Sequence, residues 1–291
     1  PNTFEANHLK WLEGGNDETL FSFLKKAYEI DPADSRAYTD LATYYETQHN
    51  KTEYQKACVL MYQANVMHAS MVNWGYNMLA GLDQNAVLFT AGDNDTYAAW
   101  VAQEGLNFRK DVRVVNLHLM MMDNYRDQLL KELGFPPLAM RSELTTKPEK
   151  YEENRAKILE HFLKNSSIKP IHIAVSAMHS VNDEKWKEKL YLTGLTYQYS
   201  EESIDNNTLI VRNFEKRYLL DHLTHYFSFG MDEKVADHLN GCYLVSLVNL
   251  HTHYVTTEQD DKAGKIKELL IRISKKSEQE KEINAYLNSD K

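Results

Sequence analysis

Three short apolar runs, separated by longer amphipathic segments, constrain the possible folds of this chain most strongly. The runs cover residues 86–91, 112–119 and 170–175. Short apolar runs indicate buried strands, and strands that alternate with helices form parallel βαβ units. The sequence therefore predicts an α/β protein with a small three-layer, Rossmann-like parallel sheet domain. Residues 195–199 and 209–212 are expected to add edge strands, antiparallel because only a short polar turn joins them.

Residues 17–70 precede the first run and have the spacing of packed antiparallel helices. Ala27 is followed five residues later by Pro32, which ends the first of these helices. Ala27 and Ala64 are 37 positions apart, close to the period of about 34 residues in tetratricopeptide repeats. This arm therefore resembles such a repeat, and an ordinary helical hairpin is the alternative. The helices are expected to pack through Ala27, Leu41, Ala42, Ala57 and Ala64.

The end of the chain, from residue 218 onward, is expected to be helical as well. Leu247, Leu250, Tyr254 and Ala263 follow the same repeat-like spacing. The predicted division has a tetratricopeptide-like arm at residues 1–80, the Rossmann-like domain at 81–215 and a tetratricopeptide-like region at 216–291.

Composition excludes several classes of function. The chain has 291 residues and a formal net charge of −9, which disfavours binding to nucleic acids and to anionic lipid. No apolar run reaches the roughly 18 residues that a membrane span requires, so this chain is expected to contain no transmembrane segment. Cys58 and Cys242 are expected to be buried free thiols, with a disulfide between them as the alternative. The chain has no motif for nucleotide binding, serine hydrolysis or zinc proteolysis, and no cofactor is predicted.

The most prominent polar cluster is the run Gly92-Asp93-Asn94-Asp95-Thr96, a predicted turn between the first strand and a helix at residues 97–106. Ligands of open parallel sheets bind at the carboxyl ends of the strands. Asn116 and His118 close the second predicted strand, so they are expected at the same edge. Asp93, Asn94, Asp95, Thr96, Asn116 and His118 are the candidate ligand-binding residues.

Two interpretations of this cluster remain open. Asp95 or Asn94 could simply cap the following helix by accepting its free N–H groups. Capping does not account for Asp93, Asn94 and Asp95 together, and their oxygens are ligands of the kind that Mg²⁺ or Ca²⁺ prefers. A ligand or metal role is the second interpretation. No catalytic residue is assigned, and the identity of any metal is left open.

Several segments resemble the soluble region of a family of membrane proteins that is similar to protein O-mannosyltransferases. The resemblance extends over about residues 76–202. It is carried by residues 84–96, 103–105, 110–117, 169–174 and 192–197. It implies a soluble domain with tetratricopeptide-like helices, placed on the non-cytoplasmic side of a membrane, in the periplasm or cell envelope.

Departures from the family limit what the resemblance implies. Tyr97-Ala98-Ala99-Trp100 stands where the family has a Phe-Pro-Leu-Trp-like stretch, and His118 replaces an expected small polar residue. The membrane part, to which the transfer chemistry belongs, is not present in this sequence. The resemblance therefore implies the fold and the location, and not the transfer reaction.

The leading functional hypothesis is a non-enzymatic interaction or accessory protein of the cell envelope. Repeat helices stack into surfaces that bind a partner protein or peptide. The alternative is a carbohydrate-related binding module or enzyme with a polar site around Asp93, Asp95 and Asn116. A purely structural scaffold is the third possibility.

Overall fold

The predicted parallel sheet is present in the computed structural model, which describes residues 2–15, 17–141, 148–181, 183–225 and 233–289. Its parallel strands are β1 (Val87–Thr90), β2 (Arg113–Asn116) and β3 (Ile171–Ala174). β4 (Leu190–Leu192) and β5 (Thr196–Tyr199) extend it in antiparallel fashion, and the order is β2-β1-β3-β5-β4. β1 lies between its two parallel neighbours, so the prediction of an α/β fold is confirmed.

The prediction of an edge strand at residues 209–212 is wrong. These residues belong to helix α10 (Asn206–Lys216), and the second antiparallel strand is β4 instead. Asp205 caps this helix by accepting a hydrogen bond from the Thr208 amide at 3.1 Å. Ile210 and Phe214 are buried four positions apart on one helical face. The β-branched pair Ile210-Val211 suggested a strand, but the cap and the helical spacing of the buried residues decide the structure.

The amino-terminal arm consists of antiparallel helices. They are α1 (Phe4–Glu13), α2 (Phe21–Ile30), α3 (Tyr38–Thr47), α4 (Lys51–Gln63) and α5 (Ala69–Ala80). Ala27, Leu41, Ala42 and Ala57 are buried between them, as predicted. Ala64 follows α4 as its C-cap and is exposed, so the expected packing role of Ala64 is wrong.

The arm continues directly into the sheet layer through α5 and α6 (Asp93–Gly105). These two helices cross without an intervening side chain at Gly75. A Cβ atom at that position would lie 2.4 Å from the carbonyl carbon and oxygen of Ala98 and 2.8 Å from the Ala99 nitrogen. The crossing therefore brings two backbones into contact, and only glycine fits there.

On the sheet, α7 (Asp123–Leu133) follows β2, and α8 (Pro148–Lys164) precedes β3. A short 3-10 helix, Val175–Ser180, leaves the carboxyl end of β3, and the short α9 (Glu184–Lys187) leads into β4. α8 buries Phe162 against Phe89 of β1, with ring centroids 4.8 Å apart. α6 contacts β2.

The carboxyl-terminal region is helical, as predicted. It contains α11 (Asp221–Thr224), α12 (Glu233–Gly241), α13 (Leu244–Thr256), α14 (Asp260–Ser274) and α15 (Glu280–Ser289). Leu247, Leu250, Tyr254 and Ala263 are buried in the α13–α14 hairpin.

Asn77 of α5 joins the arm to this region. Its side-chain nitrogen donates to the Leu219 carbonyl at 2.8 Å and to the Tyr243 hydroxyl at 2.7 Å. Its side-chain oxygen accepts from the Leu219 amide at 2.7 Å. Asn77 and Tyr243 are fully buried. The first and last helical regions are therefore fastened to each other and not only to the sheet.

Two further expectations concern the cysteines and the membrane. Cys58 and Cys242 are both free; Cys58 is buried, whereas Cys242 is only half-buried. Within the described part of the chain, none of the helices combines the length and the apolar character needed to cross a membrane.

Candidate functional site

Asp95 anchors the turn at the carboxyl end of β1. The helix begins at Asp93, four residues earlier than predicted, with Gly92 as its N-cap. The Asp95 carboxylate accepts hydrogen bonds from the Gly92 amide at 2.9 Å and the Ala91 amide at 2.7 Å. It also accepts from the Ser176 hydroxyl at 2.6 Å. Asp95 is buried and accepts three hydrogen bonds, so it acts as an internal cap that joins β1 to the chain after β3.

Thr96 and Asn116 form a second internal network at the same edge. The Asn116 side-chain nitrogen donates to the Thr96 hydroxyl at 3.0 Å, and that hydroxyl lies 2.7 Å from the hydroxyl of Thr90. The Asn116 side-chain oxygen accepts from the His118 amide at 2.7 Å. Thr96 and Asn116 are buried. They fasten α6 to β1 and β2, and neither presents a free polar group to a ligand.

Asp93, Asn94 and His118 form the open part of the cluster. All three are exposed. The His118 Nδ1 atom is hydrogen-bonded to the hydroxyl of Tyr151 on α8, and the two rings are inclined by 29° with centroids 5.6 Å apart. A Cβ atom on Gly92 would lie 3.9 Å from His118 Nε2. The imidazole therefore covers the start of α6, and the structure separates the six predicted residues into an internal group and an open group.

The electrostatics of the open group favour a neutral imidazole. Partial desolvation raises the pKa of the Asp93 carboxyl; His118 opposes this rise and Asp95 adds to it. Partial desolvation also lowers the pKa of His118, and the Arg155 guanidinium lowers it further, against the effect of Asp93 and Asp95. Both side chains keep contact with solvent, so these pKa shifts contribute little to the free energy of folding. At neutral pH, His118 can offer one ring nitrogen to a ligand beside the Asp93 carboxyl group.

The sequence did not identify the residues behind this open group. Tyr151, Asn154 and Arg155 occupy one side of α8, and Asn154 and Arg155 are buried. Arg155 donates to the Ser180 hydroxyl and, at 3.1 Å, to Glu152. Its Nε atom and the Asn154 side-chain nitrogen have no hydrogen-bond partner among the described residues. The sequence signal for these residues is their helical spacing on the side of α8 that faces the core. Polar side chains in such a position need partners and therefore indicate a polar site.

The described residues contain no group of three or more His, Cys, Asp or Glu side chains arranged to hold a metal ion. Asp95 already accepts three hydrogen bonds, and Asp93 is exposed. Of the two predicted interpretations, capping accounts for Asp95, and the ligand hypothesis rests on Asp93 and His118.

A pair of conservative variants separates these roles. Asp95→Asn should lower the free energy of unfolding by about 1–2 kcal/mol. Both carboxylate oxygens of Asp95 accept hydrogen bonds, whereas an amide side chain has only one oxygen that can accept. Asp93→Asn should change it by less than about 0.5 kcal/mol, as expected for an exposed side chain. Urea unfolding at pH 7 measures both values. Equal losses in the two variants would contradict the assignment of the cap to Asp95.

Comparison with known protein families gives a match. Residues 71–212 match the family model described as TMEM260-associated domain 2, so this part of the chain fits a TMEM260-like family. The matched segment begins within α5 and ends within α10. No curated protein and no solved structure gives a significant match to the chain.

Proposed function

We propose that this chain is a non-enzymatic accessory module of the cell envelope that binds a partner protein or peptide through its repeat-like helices. The observation that carries this proposal is the outer face of α1. Leu9 is 55% exposed and Leu12 is 49% exposed, three positions apart on one helical face. The opposite side of α1 buries Phe4 and Trp11 against the arm. This helix is therefore held in place while it presents two neighbouring leucines to solvent.

The arrangement suits an apolar partner surface. Large side chains at i and i+3 on a fixed helix are the anchors by which helices recognise grooves and other helices. Burying an exposed leucine contributes about 1.5–3 kcal/mol when the partner surface is complementary. The internal use of Asp95, Thr96 and Asn116 also favours an interaction role over catalysis, because it removes most of the predicted polar site.

Charge reversal of the apolar face provides the test. The Leu9→Lys, Leu12→Lys double variant should bind at least about tenfold less partner from envelope extracts of the native cell than the wild-type chain. A loss of about 1.4 kcal/mol in the free energy of binding is enough for a tenfold change. Leu106→Lys is the matched control, because Leu106 is a 41% exposed leucine that follows α6. The control should retain the partner, and all three proteins should melt at similar temperatures.

Equal retention by the double variant and the wild type would contradict the proposal. Equal loss in the double variant and in Leu106→Lys would mean that added charge, and not the α1 face, causes the effect.

A second candidate function is carbohydrate-related binding at the strand ends. The observation that favours it is the open pair of Asp93 and His118, backed by the unpartnered nitrogens of Asn154 and Arg155. A sugar hydroxyl can donate to a carboxylate and accept from an imidazole N–H. This site is separate from the α1 face, so the double variant at Leu9 and Leu12 should leave such binding unchanged.

A further inference from the structure

A polar cavity of 290 Å³ lies between the start of α5 and helices α11, α12 and α14. It is distant in sequence from the strand-end cluster and contains none of the six candidate residues. Its polar lining includes His68, His222, Asp237, Asn240, Arg272 and Lys276. Leu223, Ala236 and Ile273 supply apolar wall. A partly open cavity of this size, with several polar groups beside apolar walls, has the features of a small-molecule site.

His222 is the unusual member of this lining. Only 5% of the residue is exposed. Apart from an electrostatic interaction with the Leu219 carbonyl, its ring nitrogens have no hydrogen-bond partner of good geometry among the described residues. The side-chain oxygen of Asn240, which lines the same cavity, is also buried and without a partner there. Leaving buried polar atoms unpaired is costly, and folded proteins pair more than about 90% of them. Two such residues on one cavity point to a hydrogen-bonding occupant.

The charged residues of the cavity are already engaged. Lys276 Nζ lies 3.3 Å from carboxylate oxygens of both Glu233 and Asp237. Arg272 donates to the Thr224 carbonyl. His68 accepts a hydrogen bond from the Ser70 amide on Nδ1 at 3.1 Å, which assigns its proton to Nε2. The cavity therefore offers neutral donors and acceptors, and its positive and negative groups largely balance each other.

We propose that this cavity binds a small neutral ligand of the polyol class, in which hydroxyl groups donate to Asn240 and pair with His222. A hydroxyl both donates and accepts, which matches a neutral imidazole and an amide oxygen together. A carboxylate has no proton for the Asn240 oxygen, and an ammonium group would meet Arg272 and Lys276. The proposal does not depend on partner binding by α1.

Thermal unfolding with defined probes tests the proposal. The probes are myo-inositol, acetamide and sodium acetate, each titrated over the millimolar range. Saturation with myo-inositol at about 100 times its dissociation constant should raise the wild-type melting temperature by about 5 °C. Acetamide and acetate should give no comparable rise. His222→Phe keeps a ring of similar size but removes both nitrogens, so its response to myo-inositol should be lost, and Asn240→Leu should reduce it.

Two histidine variants outside the cavity serve as controls. His161→Phe changes a histidine on α8 that contacts only the Pro136 carbonyl through its ring nitrogens in the described structure, and it should keep the full response. His118→Phe should also keep it. A response lost in His118→Phe but kept in His222→Phe would place the polyol at the strand ends and overturn the proposal.

Nitrogen NMR of the wild-type imidazoles keeps the test independent of variant folding. The ring nitrogens of His222 should shift on addition of myo-inositol. Unchanged His222 signals together with unchanged melting would overturn the proposal and leave water as the occupant. A response to acetamide alone would replace the polyol class with a carboxamide.

Discussion

Replacing Gly75 with alanine should lower the free energy of unfolding by about 3 kcal/mol, near the upper end of the usual cost of overpacking. The new methyl group would meet the Ala98 carbonyl at 2.4 Å. This obstacle is helix backbone, which cannot rotate away as a flexible side chain can. α5 and α6 would have to separate, and the sheet layer would lose part of its contact with the arm. Chemical unfolding at pH 7, followed by circular dichroism, measures the change.

Gly264→Ala is the matched control. Gly264 also lies inside a helix, α14, but it is exposed and a Cβ atom there would meet nothing within 4 Å. Alanine is the better helix former by about 0.8–1.0 kcal/mol, so this variant should be slightly more stable than the wild type. A Gly75→Ala variant as stable as Gly264→Ala would show that the two backbones are not in contact.

Acidification from pH 7 to pH 4 should remove about 3 kcal/mol of stability that depends on His222. Burial lowers the pKa of His222 in the folded protein to about 4, against the opposing effects of the Leu219 carbonyl and Asp221, while His68 lowers it slightly more. The pKa in the unfolded chain is about 6.5. Below pH 6.5 the unfolded chain therefore binds a proton that the folded protein does not, and the unfolded state gains stability. This loss begins near pH 6.5, grows at about 1.4 kcal/mol per pH unit and levels off below pH 4.

The measurement compares the wild type with His222→Phe at several pH values between 7 and 4, without added ligand. Other groups titrate in both proteins, so the difference between the two free energies isolates His222. The free energy of unfolding of the variant should increase relative to that of the wild type as the pH falls. A constant difference across this range would mean that His222 can take up a proton in the folded protein and is not held neutral by burial.

The parts of the fold that follow local periodicity were predictable from the sequence. The runs at residues 86–91, 112–119 and 170–175 gave the three parallel strands, because a short apolar run fits a strand covered on both faces. The strand prediction for residues 209–212 was wrong because the window of four residues was too short. The helix that contains them is capped at Asp205, and its buried face extends to Phe214. Local patterns decide an element only when the window includes its ends.

The position of the candidate residues in the fold was predictable from the sequence. Which of them are bonded internally and which are open to solvent was not. The strand-end rule brought Asp95, Thr96, Asn116 and His118 to one edge. It could not show that the Ser176 hydroxyl and the Ala91 and Gly92 amides donate hydrogen bonds to the Asp95 carboxylate. The Ser176 contact depends on the path of the chain after β3. The cavity around His222 was beyond sequence patterns altogether. Its lining comes from positions as far apart as His68 and Arg272, which only the tertiary fold brings together.

The bonds of Asn77 set the smallest fragment that can be expected to fold. A fragment cut to the family match, residues 71–212, would keep all five strands but would lose Leu219 and Tyr243, the hydrogen-bond partners of Asn77. It would also remove α11 and α12, which pack against α5. Such a fragment would expose apolar surface and become prone to aggregate. Expression designs for the sheet domain should therefore extend at least through α13, so that the cooperative folding unit is longer than the matched segment.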